Sequence, residues 1–154
     1  MDWIAPDRER QWPEFNGSER ASLEQVLNAQ RDTLLHKCSG LSDEQLKLAS
    51  AKPSKLTLLG IVRHMTDVEH WWFRTNLLGD DLHPLYYRDD DPKACFTRAG
   101  ESDPEEVFER FRDAVDAARA GAASRNLETR RTPRRTQPGW CRRSTRSRLV
   151  PPGR

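Results

Sequence analysis

The sequence predicts an all-α protein, an up-down helical bundle with three recognisable helices and a fourth that is absent or disordered. Three observations predict this fold. Three stretches carry apolar residues at the helical period, residues typical of helix caps flank those stretches, and a C-terminal stretch rich in arginine and proline has no such period. A chain of 154 residues is long enough for one domain with a hydrophobic core.

The first predicted helix follows Ser18, which can act as an N-cap, and Ser22 begins a second possible capping box. The helix is predicted to end before Gly40, because glycine is common just after a helix. Its charged residues, including Arg31 and Asp32, lie mostly outside the apolar face. That face contains Leu23, Val26, Leu27, Gln30, Leu34 and Cys38.

The second predicted helix is capped by Thr57 and runs to Gly79. Its apolar residues cover more than half of the circumference, so we expect neighbouring elements to surround this helix. Two polar residues, His64 and Glu69, fall inside the apolar arc, whereas Arg63, Asp67, His70 and Arg74 fall on the polar side. The arc contains Leu58, Ile61, Val62, Met65, Val68, Trp71, Trp72 and Phe73.

A long loop is predicted from Gly79 to Gly100, because this stretch contains two prolines and three consecutive aspartates. The third helix is then predicted to begin at Ser102 as the cap, with Pro104 in its first turn. Its apolar side contains Val107, Phe108, Phe111, Ala114, Val115 and Ala118.

The charge is divided sharply along the chain. Residues 1–118 carry 15 Lys/Arg against 23 Asp/Glu, a net charge of −8, whereas residues 119–154 carry 11 Arg against one Glu, a net charge of +10. We therefore predict a helical bundle domain over 1–118 and a basic Arg/Pro-rich tail over 119–154, for which we expect disorder. An extended basic arm that becomes ordered on a partner is the alternative for the tail.

Composition also restricts the class of protein. No apolar run is long enough for a membrane helix, and charges occupy the N-terminus where a signal peptide would be apolar, so we expect a cytoplasmic protein with no membrane partner. The three cysteines, Cys38, Cys95 and Cys141, are odd in number and widely separated. This pattern favours free thiols, two of them packed, over disulfides or a thiolate zinc site.

Three stretches of the chain resemble the DinB-like superfamily, specifically an actinobacterial branch of uncharacterised proteins related to mycothiol-dependent S-transferases. These stretches read "LLHKCSGLSDEQL", "SKLTLLGIVRHMTDVEHWWFR" and "DDDP", and the resemblance covers roughly residues 12–118. It implies a four-helix bundle that holds a divalent metal, zinc or nickel. The implied ligands are one histidine on the second helix, which His64 matches, and two histidines on the fourth. It also implies activation of a low-molecular-weight thiol by the metal.

The sequence departs from that pattern at its C-terminal end. Its histidines are His36, His64, His70 and His83, so the pair expected on a fourth helix is absent. Our hypothesis is that the tail is a truncated or frame-shifted version of the family's C-terminus, because a change of reading frame would remove helical period and ligand spacing together.

Each candidate site residue has a structural alternative. His64 is either a metal ligand or a neutral core histidine. A weak site shared with Asp67 is a further alternative, although a solvated or N-terminally paired Asp67 is the favoured interpretation. His70 lies too far around the helix to share a site with His64.

Glu69 is expected to pair with a neighbouring Arg or Lys, and the alternative is that it supports a ligand of the metal. The run Trp71 to Phe73 favours packing over a cofactor pocket, and the aspartates at 89–91 favour a solvated loop over a calcium site.

The resemblance implies an ancestral metal-dependent, thiol-linked transferase or isomerase acting on a small electrophile. We expect the present chain to be inactive or only weakly metal-binding; the sequence identifies neither catalytic residues nor a substrate. The alternative is a non-catalytic interaction protein that uses an exposed helical groove and the basic tail. Non-specific nucleic-acid binding by the tail is disfavoured, since the acidic domain would repel phosphates. Loss of the fourth helix predicts marginal stability, homodimerisation or aggregation.

Overall fold

The computed structural model describes residues 3–129, and over that range its regular structure is helical, as the sequence predicts. The three predicted helices are all present, and no fourth long helix occurs within the described range. The elements are α1 (Glu19–Cys38), α2 (Asp43–Leu46), α3 (Leu58–Glu69), a π-helical segment (His70–Leu78), α4 (Ala94–Thr97), a 3₁₀ turn (Ala99–Glu101) and α5 (Pro104–Ala123).

Most of the predicted tail lies outside the described residues. The helix α5 continues past residue 118 and ends at Ala123, so the first residues assigned to the tail are helical. Residues 119–123 therefore belong to α5, whereas most residues for which disorder is expected lie outside the described range. None of the described helices has the combined length and apolar character that crossing a membrane requires.

The helix α1 begins as predicted but buries a different face. Ser18 is the N-cap and accepts a hydrogen bond from the backbone N–H of Ala21 at 3.3 Å. Arg31 and Asp32 are buried, whereas Leu23 of the predicted apolar face is 54% exposed. The prediction failed because ion pairs hold the two charged residues inward: the guanidinium of Arg8 donates to Asp32 at 2.6 Å, and Arg31 pairs with a residue of α3.

The helix α3 and the π-helical segment form the continuous helix predicted from Thr57 to Gly79. The Thr57 hydroxyl accepts from the N–H of Gly60 at 3.0 Å, and Gly79 ends the helix in the left-handed region with φ of 86°. The burial of the aromatic run is only partly as predicted: Trp71 is buried but Trp72 is 53% exposed. A π-helix bonds residue i to i+5, so its side-chain register departs from the α-helical period used for the prediction.

The helix α5 confirms its predicted apolar side and corrects its cap. Asp103, not Ser102, is the N-cap, and its carboxylate accepts from the N–H of Glu105 at 3.0 Å while Pro104 takes the first helical position. All six predicted apolar residues are buried, and Phe111 is only 1% exposed. This face packs against α3 and the π-helical segment.

The predicted loop between Gly79 and Gly100 is irregular only in its first part. Asp91 accepts hydrogen bonds from the Lys93 N–H at 3.0 Å and from the Thr97 hydroxyl at 2.6 Å, and these bonds accompany the short helix α4. Asp89 and Asp90 are exposed, which confirms the prediction of a solvated acidic stretch.

The hydrophobic core lies where α3, α4 and α5 meet. Both cysteines within the described range, Cys38 and Cys95, are buried free thiols, as predicted. Trp3 of the N-terminal segment adds an edge-on contact to Phe108, with ring centroids 5.1 Å apart. The buried cluster contains Ala5, Cys38, Leu46, Leu59, Val62, Tyr86, Cys95, Val107, Phe108, Phe111 and Val115.

A buried ion pair connects α1 to the end of α3. Arg31 donates from Nε to one carboxylate oxygen of Glu69 at 2.8 Å and from Nη2 to the other at 2.6 Å. Both side chains are at most 5% exposed, and the Arg31 guanidinium also lies 5.4 Å from the ring centre of Phe73. This geometry confirms the prediction that Glu69 pairs with a cation from a neighbouring element.

Removing one partner of this pair should destabilise the protein strongly. In the Glu69→Ala variant the Arg31 guanidinium stays buried without its counterion, so we expect the free energy of unfolding to fall by about 3–5 kcal/mol. The matched control is Glu106→Ala, which breaks the exposed pair with Arg110 and should cost less than about 1 kcal/mol. Urea unfolding followed by circular dichroism measures both changes.

The double variant Arg31→Met/Glu69→Leu tests whether charge pairing is the cause. It removes both buried charges together and should recover most of the lost stability. If it is as unstable as Glu69→Ala, the two side chains matter for packing and not for their ion pair.

Candidate functional site

The predicted metal ligand His64 lies beside a cysteine that the sequence did not connect with it. The Sγ atom of Cys95 in α4 is 3.9 Å from Nδ1 of His64 in α3. The ring of Phe96 lies against the imidazole, with centroids 5.0 Å apart. Gly60, one helical turn before His64, also faces α4, and a Cβ there would lie 3.4 Å from the Phe96 Cα, at the limit of ordinary van der Waals contact.

Both members of this pair are uncharged near neutral pH. Burial lowers the pKa of the His64 imidazole, so the neutral form predominates. Burial also raises the pKa of the Cys95 thiol to about 11, with a smaller contribution in the same direction from Asp67. A reactive cysteine needs thiolate character, so this thiol is not poised as a nucleophile by its protein surroundings.

His64 and Cys95 could supply two of the ligands that a metal centre needs. Tetrahedral zinc holds nitrogen and sulfur ligands about 3.6 Å apart, which is close to the separation of His64 Nδ1 and Cys95 Sγ. However, the described part of the chain contains no group of three His, Cys, Asp or Glu side chains that could hold a metal ion. These residues therefore do not complete a centre of the kind that the resemblance implies.

Asp67, considered as a second ligand beside His64, has a different role. It is 2% exposed, and its carboxylate accepts from the backbone N–H groups of Leu85 at 2.6 Å, Tyr86 at 3.1 Å and Tyr87 at 2.9 Å. Burial raises its pKa, and these hydrogen bonds oppose the rise. The expectation of a solvated Asp67 is wrong, because the loop folds back over this face of α3.

Sequence reasoning also missed the burial of Arg63, which it placed on the solvent side of the helix. Arg63 is 6% exposed. A signal was available, because several residues of α3 recur at spacings of three and four and mark a second buried stripe. That stripe contains Leu59, Val62, Arg63, Thr66 and Asp67.

The hydrogen bonds to the Asp67 carboxylate should keep the loop at residues 85–87 ordered. In the Asp67→Ala variant three backbone N–H groups lose a charged acceptor, so we expect a loss of about 3 kcal/mol in unfolding free energy. Amide hydrogen exchange should become much faster at Leu85, Tyr86 and Tyr87 than in α5. Asp89→Ala in the exposed stretch is the control; equal protection of the loop in both variants would contradict this role.

One of three comparisons with known proteins gave a match, and that match agrees with the resemblance seen in the sequence. Comparison with curated proteins and with solved structures gave no match. The family model described as mycothiol-S-transferase matches residues 22–151, which include most of α1, all of α3 and α5, and most of the basic stretch. A family match over most of the sequence means that this chain belongs to the mycothiol-S-transferase family.

Proposed function

We propose that this chain is a mycothiol-linked transferase homologue that binds a divalent metal weakly, through His64 and Cys95, and has little or no transferase activity. The observation that carries the proposal is the 3.9 Å approach of the two donor atoms, without a third donor beside them among residues 3–129. Zinc and nickel are the metals implied by the resemblance, and a low-molecular-weight thiol is the implied co-substrate.

The proposed weakness follows from the number and state of the donors. A catalytic zinc centre has three protein ligands and an open position, whereas a pair of ligands leaves most of the coordination to water. Cys95 must also lose its proton to bind, and its raised pKa makes that loss costly near neutral pH. A bound metal would supply acidification of a thiol co-substrate, and the two residues identified here would serve only to hold it.

Metal binding tests this proposal directly. We expect purified protein to contain far less than one metal ion per chain, and calorimetric titration with Zn²⁺ should give weak binding that strengthens as the pH rises through the neutral range, because binding releases the Cys95 proton. His64→Ala and Cys95→Ser should each abolish that binding. His83→Ala, an exposed histidine in the loop, is the matched control and should bind as the parent protein does.

One further variant distinguishes a pair from a complete centre. Residues 130–154 contain Cys141 but no His, Asp or Glu. If Cys141→Ser weakens metal binding as much as Cys95→Ser, or if the parent protein holds stoichiometric metal, the proposed two-donor site is wrong.

A second candidate function is supported by the groove between the three long helices. This groove has a volume of about 260 Å³ and is lined by residues of α1, the π-helical segment and α5, among them Leu27, Phe73 and Ala122. Leu23 lies one turn before Leu27 on α1 and is exposed. An interaction protein that associates through this apolar surface, with itself or with a partner, is the alternative that the groove favours.

Self-association through this surface predicts an oligomeric state that depends on concentration. Sedimentation equilibrium should detect dimers whose fraction rises with protein concentration, and Leu23→Lys should lower that fraction, because it places a charge beside the groove. Leu48→Lys, at an exposed leucine outside the groove, is the control. A monomer whose thermal melt is sharp and independent of concentration would contradict self-association through this surface.

A further inference from the structure

A small cavity rich in arginine lies next to α3, where the loop after the π-helical segment meets the 3₁₀ turn. Its volume is about 190 Å³, below the roughly 300–1,000 Å³ typical of pockets for drug-sized ligands. We call it the arginine pocket. Its polar lining consists of the side chains of Arg63, Tyr86, Arg88, Arg98, Glu101 and Ser102.

Two buried side chains bring unpartnered hydrogen-bond donors to this pocket. Arg63 is 6% exposed, and its Nε and Nη1 atoms have no hydrogen-bond partner within residues 3–129. Tyr86 is 9% exposed, and its hydroxyl group is also without a partner there. The guanidinium carbon of Arg63 lies 4.5 Å from the ring centre of Tyr86, so the two side chains are stacked.

The other charges around the pocket are already paired. Arg98 donates two hydrogen bonds to Glu101, at 2.9 and 2.7 Å, and Arg88 pairs with Asp90 at 3.2 Å. Asp67 and Glu101 attract Arg63 electrostatically, but Asp67 accepts hydrogen bonds from the loop N–H groups and Glu101 accepts from Arg98. Arg63 is therefore the charge of the pocket that lacks an ion-pair partner in the described chain.

A buried guanidinium normally has a counterion, because an unpaired buried charge is costly. Within residues 3–129, no carboxylate forms a hydrogen bond with Arg63. A carboxylate ligand would give Arg63 the hydrogen-bonded anion that it lacks, and a single negative charge would be repelled less than a dianion by Asp67 and Glu101, which already attract Arg63 electrostatically. The pocket volume suits a group of a few atoms, and stacking on Tyr86 fixes the plane in which Arg63 can donate.

We propose that the arginine pocket binds the carboxylate group of a small organic molecule, with Arg63 as its counterion and the Tyr86 hydroxyl as a second donor. Binding there does not depend on a metal at His64 and Cys95. The carboxylate would satisfy donors that the folded chain leaves unpaired, and Arg88, Arg98 and Ser102 would border its entrance.

Acetate is the probe, added to the full chain at constant ionic strength with chloride as the replaced anion. We expect saturable changes in the amide ¹H–¹⁵N signals of Tyr86, Tyr87 and Ser102. Tyr86→Phe removes one hydroxyl group and should weaken acetate binding about fivefold. Arg63→Met should weaken it at least about tenfold. Arg112→Met, at an exposed arginine of α5, removes the same charge elsewhere and should leave binding unchanged.

Three outcomes of this experiment would contradict carboxylate binding in the arginine pocket. Equal signal changes with chloride and acetate, or an equal loss in Arg112→Met and Tyr86→Phe, would mean that the response is general screening and would overturn the proposal. Tighter binding of inorganic phosphate than of acetate would overturn the choice of a monoanion. Since Arg63→Met can fail to fold, Tyr86→Phe carries the test, and its melting temperature must match that of the parent protein.

Discussion

Three charged side chains of one helix are buried, and the need to pair them organises the rest of the molecule. Arg63, Asp67 and Glu69 are each at most 6% exposed on α3. A buried charge is tolerated only when partners compensate for lost water. Glu69 obtains its partner from α1, through Arg31, whereas Asp67 obtains three backbone N–H groups from the loop. The guanidinium of Arg63 has no hydrogen-bonded partner of this kind in the described chain, and a ligand is inferred beside it.

Both candidate sites, the His64–Cys95 pair and the arginine pocket, depend on the carboxylate of Asp67. Because Asp67 fixes the backbone from Leu85 to Tyr87, it places Tyr86 under the guanidinium of Arg63. The chain then continues into α4, which carries Cys95 to within 3.9 Å of His64. The His64–Cys95 pair and the arginine pocket therefore lie on neighbouring faces of α3, and loss of the hydrogen bonds from the loop to Asp67 would disturb both. A binding experiment at either site consequently needs a variant that keeps Asp67.

The features that were predictable from the sequence depend on contacts within a few residues or on a helix that buries a single face. The caps Ser18 and Thr57 and the terminal Gly79 act within a few residues, and α5 buries a single face, so its pattern suffices. The partners of Asp67 lie 18–20 residues away, and no helical period reports a contact of that kind. The same limit applies to α1, whose buried face is set by ion pairs, and to Trp72, whose position follows the π-helical register. Of the His64–Cys95 pair, the sequence singled out only His64, because it stood in an apolar arc while Cys95 lay in a stretch without a period.

The donor atoms available to this chain differ from the three histidines that the resemblance implies. Residues 84–154 contain no histidine, and within the family match, which extends to residue 151, the one cysteine beyond the described residues is Cys141. Any third side-chain ligand from residues 130–154 would therefore be a thiolate and not an imidazole. Two thiolates would neutralise the charge of a divalent ion, whereas three imidazoles leave that charge available to acidify a bound thiol. A centre of one imidazole and two thiolates would therefore acidify a bound thiol less than three imidazoles would, so restoring a third ligand would not by itself restore the chemistry of the family.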